Sequence, residues 1–567
     1  TTNWTTNGDG TFDDASSLTA IYSPGAADNS TGSVILTLQA NPLSPCTTVD
    51  SDNMTVTFTT TVSNNSVAIS PSSPTPNDDL TANINSTCVD VSSNDWRLNG
   101  TSIAPLNFPF NTSGTSGLTS KSTNPEVLSI SGASPIISQG ISGNCFEFTS
   151  QGELEANIST INPSNGISIS VWTYTYNQSS NFRRWVSLNS SSGTELLLRK
   201  SSTNFIEAVV WAGGGIPDWD EDHIYESSQV QNNVWQHWVL TYDNFNTMIL
   251  YKNGDEEIFS TTTIGQGIND ITQIKINTNS VSGWYNGKLD EVMVFDRVIT
   301  PEQATALYNS GDPDYEKIVK EETNCGESWT LNSTPYNHIG NEGTATLSSA
   351  VSIPSVSIST QPSSGADVCQ GSTASTMTVV ASSGSGNYTY QWYTCQSDGS
   401  SPVIINGETN ASFIPPTSSV GTTYYIVIVT DDEANCGSET SAVVSQTVDE
   451  SITVAAGADQ TVCGNDVVNI SGTISGGVST GTWSASAAGT FGNTTDLSTT
   501  FTPGASLLGG GTVDLTLTSA ANGACPAVTD QLSLTINSAD AGFTYAYSEY
   551  CSDETNPSPT ITGSSGG

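Results

Sequence analysis

KLDEVMVF, residues 288–295, is followed after four residues by TPEQATALYNSG, residues 300–311. The first segment alternates as a strand, and the second carries the signals of one short helix: Thr300 as N-cap, Pro301 at the first helical position, Gln303 completing a capping box and Gly311 as the stop. Outward from this pair the pattern is all strand. ISISVWTYTY (167–176), ELLLRK (195–200), NFIEAVVW (204–211), WQHWVLTYD (235–243) and TMILYKNG (247–254) precede it. Six strands and a single helix between residues 123 and 315 predict an all-β sandwich.

The order of these motifs carries a family resemblance. ISVW, then WQHWVLTYD, then ILYKNG, then GKLDEVMVFDRVITPEQATALYNSG resembles the laminin-G-like, or concanavalin-A-like, jelly-roll domains of bacterial surface proteins. The resemblance covers nearly all of 123–315. It implies a domain that binds glycans or proteins, often with Ca²⁺, and it implies a structural Ca²⁺ ligand at Asp290 of GKLDE. Read without the resemblance, Asp290 ends a strand or pairs with Arg297.

The rest of the chain reads as repeats. WTTNGDGTF (4–12) matches WSASAAGTF (483–491), and the match runs on without a gap at an offset of 479 residues. Trp4 meets Trp483, Leu18 meets Leu497, Tyr22 meets Phe501, Pro24-Gly25 meets Pro503-Gly504, and Cys46 meets Cys525. The later copy also has ADQTVCGNDVVNISGTI (458–474) ahead of its Trp. Both ends of the chain are therefore read as cuts through modules. Residues 358–449 form a further module, in which TYYIVIVT has apolar residues on both faces, as a central sandwich strand does. SVAISPSSPTPNDDLTANI (66–84) with WRLNGTSI (96–103), and SWTLNSTPYNHIGNEGTATLSSAVSI (328–353), read as two halves of one module with the jelly roll inserted between them.

The expected architecture is tandem immunoglobulin-like β-sandwich modules with an inserted laminin-G-like jelly roll. Its divisions are a truncated repeat module (1–62), a split module (63–122 plus 316–357), the insert (123–315), two modules (358–449 and 450–538) and the start of another (539–567). The GTF, YSPG or FTPG, LTL and Cys series is similar to the repeats of giant SprB-like adhesins of gliding Bacteroidota, exported by the type IX system. That resemblance implies an extracellular protein at the bacterial cell surface, with the repeats as a stalk and neighbouring modules of the same chain as partners.

Composition sets limits. All 12 Lys and Arg of this chain of net charge −43 lie between Arg97 and Lys320, so 1–96 and 321–567 hold 10 and 22 carboxylates and no basic side chain. Nothing there can neutralise phosphates, which excludes nucleic acid and attraction to an anionic membrane. No apolar run approaches the ~18 residues of a membrane span. The ten Cys show no metal or redox spacing, so they read as disulfides of an oxidising compartment. Cys369 with Cys436, and Cys463 with Cys525, are the expected pairs, while Cys88, Cys145, Cys325 and Cys395 are left open.

Candidate binding residues fall in the insert. WAGGGIPDWDEDHIYE (211–226) sets Asp218, Asp220 and Asp222 at alternate positions, a density of oxygen ligands that suits Ca²⁺; a solvated acidic loop is the plain alternative. In the same stretch Trp211 and Trp219 could stack on sugar faces. Arg183 and Arg184 could read a sugar carboxylate bidentately or simply balance nearby Glu and Asp. Trp284 and Tyr285, in the turn VSGWYNG, are expected to be exposed, whereas core packing is expected for most of Trp172, Trp235 and Trp238. An enzyme is not expected: glycoside hydrolysis needs two carboxylates about 5–9 Å apart, and no ExDxxE strand is present. A purely structural surface spacer is the competing reading.

Overall fold

The computed structural model describes residues 2–562, except 59–60, 112–117, 133–135, 142, 150, 177–182, 202, 204, 212–220, 246, 262–267, 279–283, 310–314, 338–339, 433–435, 465, 539–541, 550–551 and 553–556. The chain forms two compact units, Thr1–Ser355 and Val356–Gly567. Each is built of β-layers, with two short α-helices among the described residues, both in the first unit.

In the first unit the split module is directly visible. Strand Val91–Leu98 pairs antiparallel with Ser328–Tyr336, from Leu98 opposite Trp329 to Val91 opposite Tyr336. A second layer joins Ser63–Ser70, Leu80–Thr87 and Lys317–Ile318. Neighbouring strands thus come from chain segments on either side of the insert, which closure entropy allows because it grows only slowly with loop length.

The insert is a sandwich of two eight-stranded sheets. One runs Ile136–Gln139, Asn144–Phe148, Gly287–Phe295, Ile167–Thr175, Trp235–Tyr242, Thr247–Lys252 and Asp255–Thr261, with Leu106–Phe108 also paired to Gly287–Phe295. The other runs Leu118–Thr119, Val127–Gly132, Gly152–Ile161, Ile271–Ile276, Arg183–Ser190, Glu195–Lys200, Phe205–Trp211 and Glu221–Gln229. Alternate residues meet between them: Ile169, Val171, Trp238 and Leu240 from the first sheet, and Trp185, Leu188, Leu196, Leu198 and Ile274 from the second, all buried. Leu106, Phe108, Phe110 and Leu118 belong to this core, so jelly-roll strands begin upstream of residue 123. Pro105 and Pro109 flank the first of them, which hides it from a strand reading.

The outer face of the first sheet is also partly dry. Val239, Tyr251, Met293 and Phe295 join Ala304 and Leu307 of helix Pro301–Asn309 and Trp96, Trp329, Leu331 and Ile353 of the split module in one apolar cluster. Insert and host therefore share a core. The helix begins as expected, with the Thr300 hydroxyl accepting from the Gln303 N–H at 3.2 Å. The capping box is not completed, however. The Gln303 amide instead braces the chain after the helix, donating to the Lys317 carbonyl at 2.8 Å and accepting from the Val319 N–H at 2.9 Å. Gly311 lies outside the described residues.

In the second unit, Gly421–Asp431 is the central strand of one module, flanked by Tyr388–Cys395 and Val444–Asp449. Tyr425, Val427 and Val429 face a core in which Trp392 stacks on Phe413, centroids 5.1 Å apart. The next module sets Gln460–Cys463, Thr529–Asn537, Gly511–Ser519 and Gly481–Ala485 in one sheet around Trp483, Leu515, Leu517 and Leu534.

The disulfide pairing differs from the expected pairs. Cys369 bonds to Cys525, with Cα atoms 4.7 Å apart, so this bridge joins two modules rather than closing one. Cys436 is disulfide-bonded to a different partner, and Cys463 is an exposed free thiol. The reason is placement. Cys463 ends an edge strand opposite Asn537, whereas Cys525 lies in the loop that touches Asp449, and Cys369 is in register with Asp449.

Candidate ligand-binding face of the jelly roll

Period-2 alternation in Val171–Tyr176 sends Val171 into the sandwich and Trp172, Tyr174 and Tyr176 to the opposite face of their sheet. Register then extends a row across four strands: Glu147 opposite Lys288, Lys288 opposite Tyr174, and Tyr174 opposite Trp235. The Trp235 ring meets Tyr174 edge-on at 5.6 Å, and Tyr176 does the same at 5.6 Å. Lys288 holds its ammonium 5.5 Å from the Tyr174 ring centroid, a cation–π distance, and donates to the Gln139 carbonyl at 3.2 Å. The Tyr176 hydroxyl donates to Glu147 at 2.8 Å. All five side chains are partly exposed.

Two residues along the same face the environment changes. Trp172 is buried beneath Tyr308 of the helix, rings stacked at 5.7 Å, and beside His237 at 4.8 Å. His237 bonds to the Ser170 hydroxyl at 2.8 Å, and burial pushes its pKa down to about 3, so the ring is neutral at ordinary pH. The helix and host thus cover one end of this sheet face, while the aromatic row lies at the other. Of the three tryptophans expected mostly in the core, Trp172 and Trp238 are buried, while Trp235 sits at the start of its strand on the half-exposed side; the alternation through Tyr174 and Tyr176 was the signal that could have found the row.

The residues nominated from sequence are dispersed. Tyr285 is fully buried, contrary to expectation, and packs edge-on against Trp185 at 5.9 Å. Its hydroxyl donates to the Lys288 carbonyl at 3.2 Å and lies 3.3 Å from that of Thr175, and its N–H reaches Asn277 at 3.0 Å. A tyrosine with its polar groups satisfied inside is a core residue. Trp284 beside it is half-buried. Asp290 is buried and accepts the Ile141 N–H and the Glu291 N–H, each at 3.0 Å, one on each carboxylate oxygen. These bonds brace the loop before Asn144–Phe148. Among the described residues no three His, Cys, Asp or Glu converge as a metal site.

Asp218, Trp219 and Asp220 lie outside the described residues. Trp211 and Asp222 are strand residues, Trp211 opposite Glu221 and Asp222 opposite Val210. The acidic stretch read as one loop therefore becomes strand from Glu221 onward; Asp and Glu have low strand propensity, and pairing overrides it.

The second sheet gathers charge. Arg184 pairs with Glu195 at 3.0 Å, Glu195 also accepts from the Ser187 hydroxyl, and Arg199 pairs with Glu207 at 2.6 Å. Arg183 lies opposite Lys200, and both are buried. Burial, and then the Arg183 charge, lower the Lys200 pKa to about 8.

The model of the concanavalin A-like lectin/glucanases superfamily matches residues 148–305. Residues 148–305 are a concanavalin-A-like jelly roll. A domain family of unknown function matches residues 358–450. No curated protein sequence matches the chain. Similar solved structures include domain 4 of AbnA, an extracellular arabinanase from Geobacillus stearothermophilus, in complex with arabinotriose (16% identity, 38% of this chain, 99% of that chain, TM-score 0.27). Others are a heptameric pentraxin from Limulus polyphemus (12%, 31%, 87%, 0.26) and the binding domain of botulinum neurotoxin serotype D/C (13%, 65%, 77%, 0.31).

Proposed function

We propose that this chain acts in extracellular adhesion, with the jelly roll binding a glycan and the flanking modules serving as stalk. The observation that carries the reading is the row Glu147, Lys288, Tyr174 and Trp235, with Tyr176 beside it. Aromatic rings left partly in water present apolar faces to the C–H faces of a sugar, and flanking charged groups supply hydrogen bonds to its hydroxyls. A binder is favoured over an enzyme because Glu195 and Glu207 are each engaged by an arginine, at 3.0 and 2.6 Å. Disulfides support an oxidising, extracellular setting, and no helix among the described residues is long and apolar enough to cross a membrane.

Ca²⁺ enters the proposal through Asp218, Asp220 and Asp222, while Asp290 keeps the loop-bracing role its two backbone bonds give it. Because insert and host share a core, the test uses the whole chain on a glycan array, with and without EDTA. Binding to a defined glycan set is the expected result, and its loss in EDTA would place Ca²⁺ in the site. No binding under either condition, with unchanged melting, would leave the structural spacer.

A further inference from the structure

The joint between the two modules of the second unit is built as a lock. Asp449 ends one module and Ser451 begins the next, and the carbonyls and carboxylates of Asp449 and Glu450 are all held. The Asp449 carbonyl accepts from the Gln370 N–H at 2.8 Å and its carboxylate from the Ala524 N–H at 2.6 Å. The Glu450 carbonyl accepts from the Asn522 side chain at 2.9 Å, and its carboxylate from the Gly477 N–H at 2.9 Å. Donors from before and after the linker close on it from both sides. Gly523 makes the approach possible: it has φ +52°, and a Cβ there would lie 2.0 Å from an Asp449 carboxylate oxygen.

Over this clamp runs the Cys369–Cys525 bond. Cys369 sits near the start of the first module, in a parallel pair with Asp449, and Cys525 sits late in the second, 1% exposed, with its Sγ 3.5 Å from the Asp449 carbonyl. The bonded residues are 156 positions apart, so nearly all of both cores lies inside the closed loop. Trp392, Val427, Trp483 and Leu515 are all within it.

We propose that this bond makes residues 358–538 a tension-shielded pair of modules. Force that enters at Cys369 crosses the sulfur bridge and leaves at Cys525, so on this route the strands between them are not drawn apart and only the short segments outside the loop, including Thr529–Asn537, bear load. Cys436, inside the loop, carries a second disulfide and is the other point where load can enter. The hydrogen-bonded linker fixes the angle between the modules, and the disulfide fixes the length that tension can release. This function is independent of any ligand at the jelly roll.

The test is single-molecule stretching of the full chain held at its two ends, before and after a thiol reductant. Intact, the 156-residue loop stays closed at any force that leaves the sulfur bond whole. Reduction should lengthen the fully extended chain by at least ~500 Å, at ~3.3–3.6 Å per residue. An unchanged extended length overturns the proposal. A companion measurement does not depend on folding under load: non-reducing digestion at Asp and Glu, followed by mass spectrometry, should yield one linked peptide pair containing Cys369 and Cys525. Links from Cys369 to Cys436 and from Cys463 to Cys525 would refute it.

Discussion

Residues 1–62 and 450–538 share one strand plan and differ in what completes it. Thr2–Thr6 pairs with Ser33–Ala40, placing Trp4 opposite Leu38, and Gly481–Ala485 pairs with Gly511–Ser519, placing Trp483 opposite Leu517. Thr11–Phe12 opposes Tyr22–Ser23 as Gly489–Phe491 opposes Ser498–Pro503. The gapless repeat therefore encodes pairing and register. It does not by itself encode a closed core. In the later copy, the preceding strands contribute Val468 and Ile470, and Trp483 is 2% exposed. In the first copy Trp4 is half-buried and Leu18, the counterpart of the packed Leu497, is 71% exposed.

A second difference is chemical. In the first copy Asp28 is buried and accepts from the Asp9, Gly10 and Gly25 N–H groups and from the Tyr22 hydroxyl. Asp9 in return accepts from the Ala27 and Asp28 N–H groups. At the corresponding positions the later copy has Ala488, Phe501 and Leu507, of which Phe501 and Leu507 are buried in its core. One polar knot and one apolar plug hold the same turn.

These differences can be broken in order of size. Trp483→Ala should cost about 3–5 kcal/mol, the usual range for emptying a buried aromatic site. Trp4→Ala should cost well under half of that, and hydrogen exchange resolved by segment would report both. Equal losses would mean that the first copy is closed by something other than the strands described. Asp9→Ala should loosen the 8–28 region by about 1 kcal/mol, the scale of a lost capping group. The later copy already carries Ala at that position and shows what the turn needs to survive it.

Acid gives the smallest and most selective effect. The bond from Tyr22, and then those from backbone N–H groups, hold the Asp28 carboxyl below its ordinary pKa in the folded state. Its contribution is therefore complete above the ordinary carboxylate pKa of about 4 and is lost as pH falls through the lower folded value. Protection around 8–28 should fall on acidification below that point, while the matching segment around Leu507 keeps its own. Parallel behaviour of the two segments would rule out Asp28 as the sensor.

Much of this fold was legible in the residues. The offset between Trp4 and Trp483 revealed the repeat, and the motif order from ISVW to LYNSG revealed the jelly roll and its helix. What was not legible has physical causes. Leu106–Phe108 is bracketed by prolines and joins its sheet only through a partner almost 190 residues away, Gly287–Phe295. Cysteine spacing within a module cannot tell which loop reaches the next module, and Cys525 is placed by the Asp449 linker. Tyr285 sits in a turn-like sequence, but Thr175 and Asn277 satisfy its polar groups inside the sandwich. Trp235 and Trp238 look alike in sequence, yet three residues along a strand puts them on opposite faces.

That last pair supplies the most direct test of the binding claim. Trp235→Ala in the whole chain should lower affinity for the glycan found on the array at least tenfold, about 1.4 kcal/mol, with the melting temperature close to that of the native chain. Native affinity in Trp235→Ala, measured by calorimetric titration on a folded sample, would contradict the assignment of the row as the binding face.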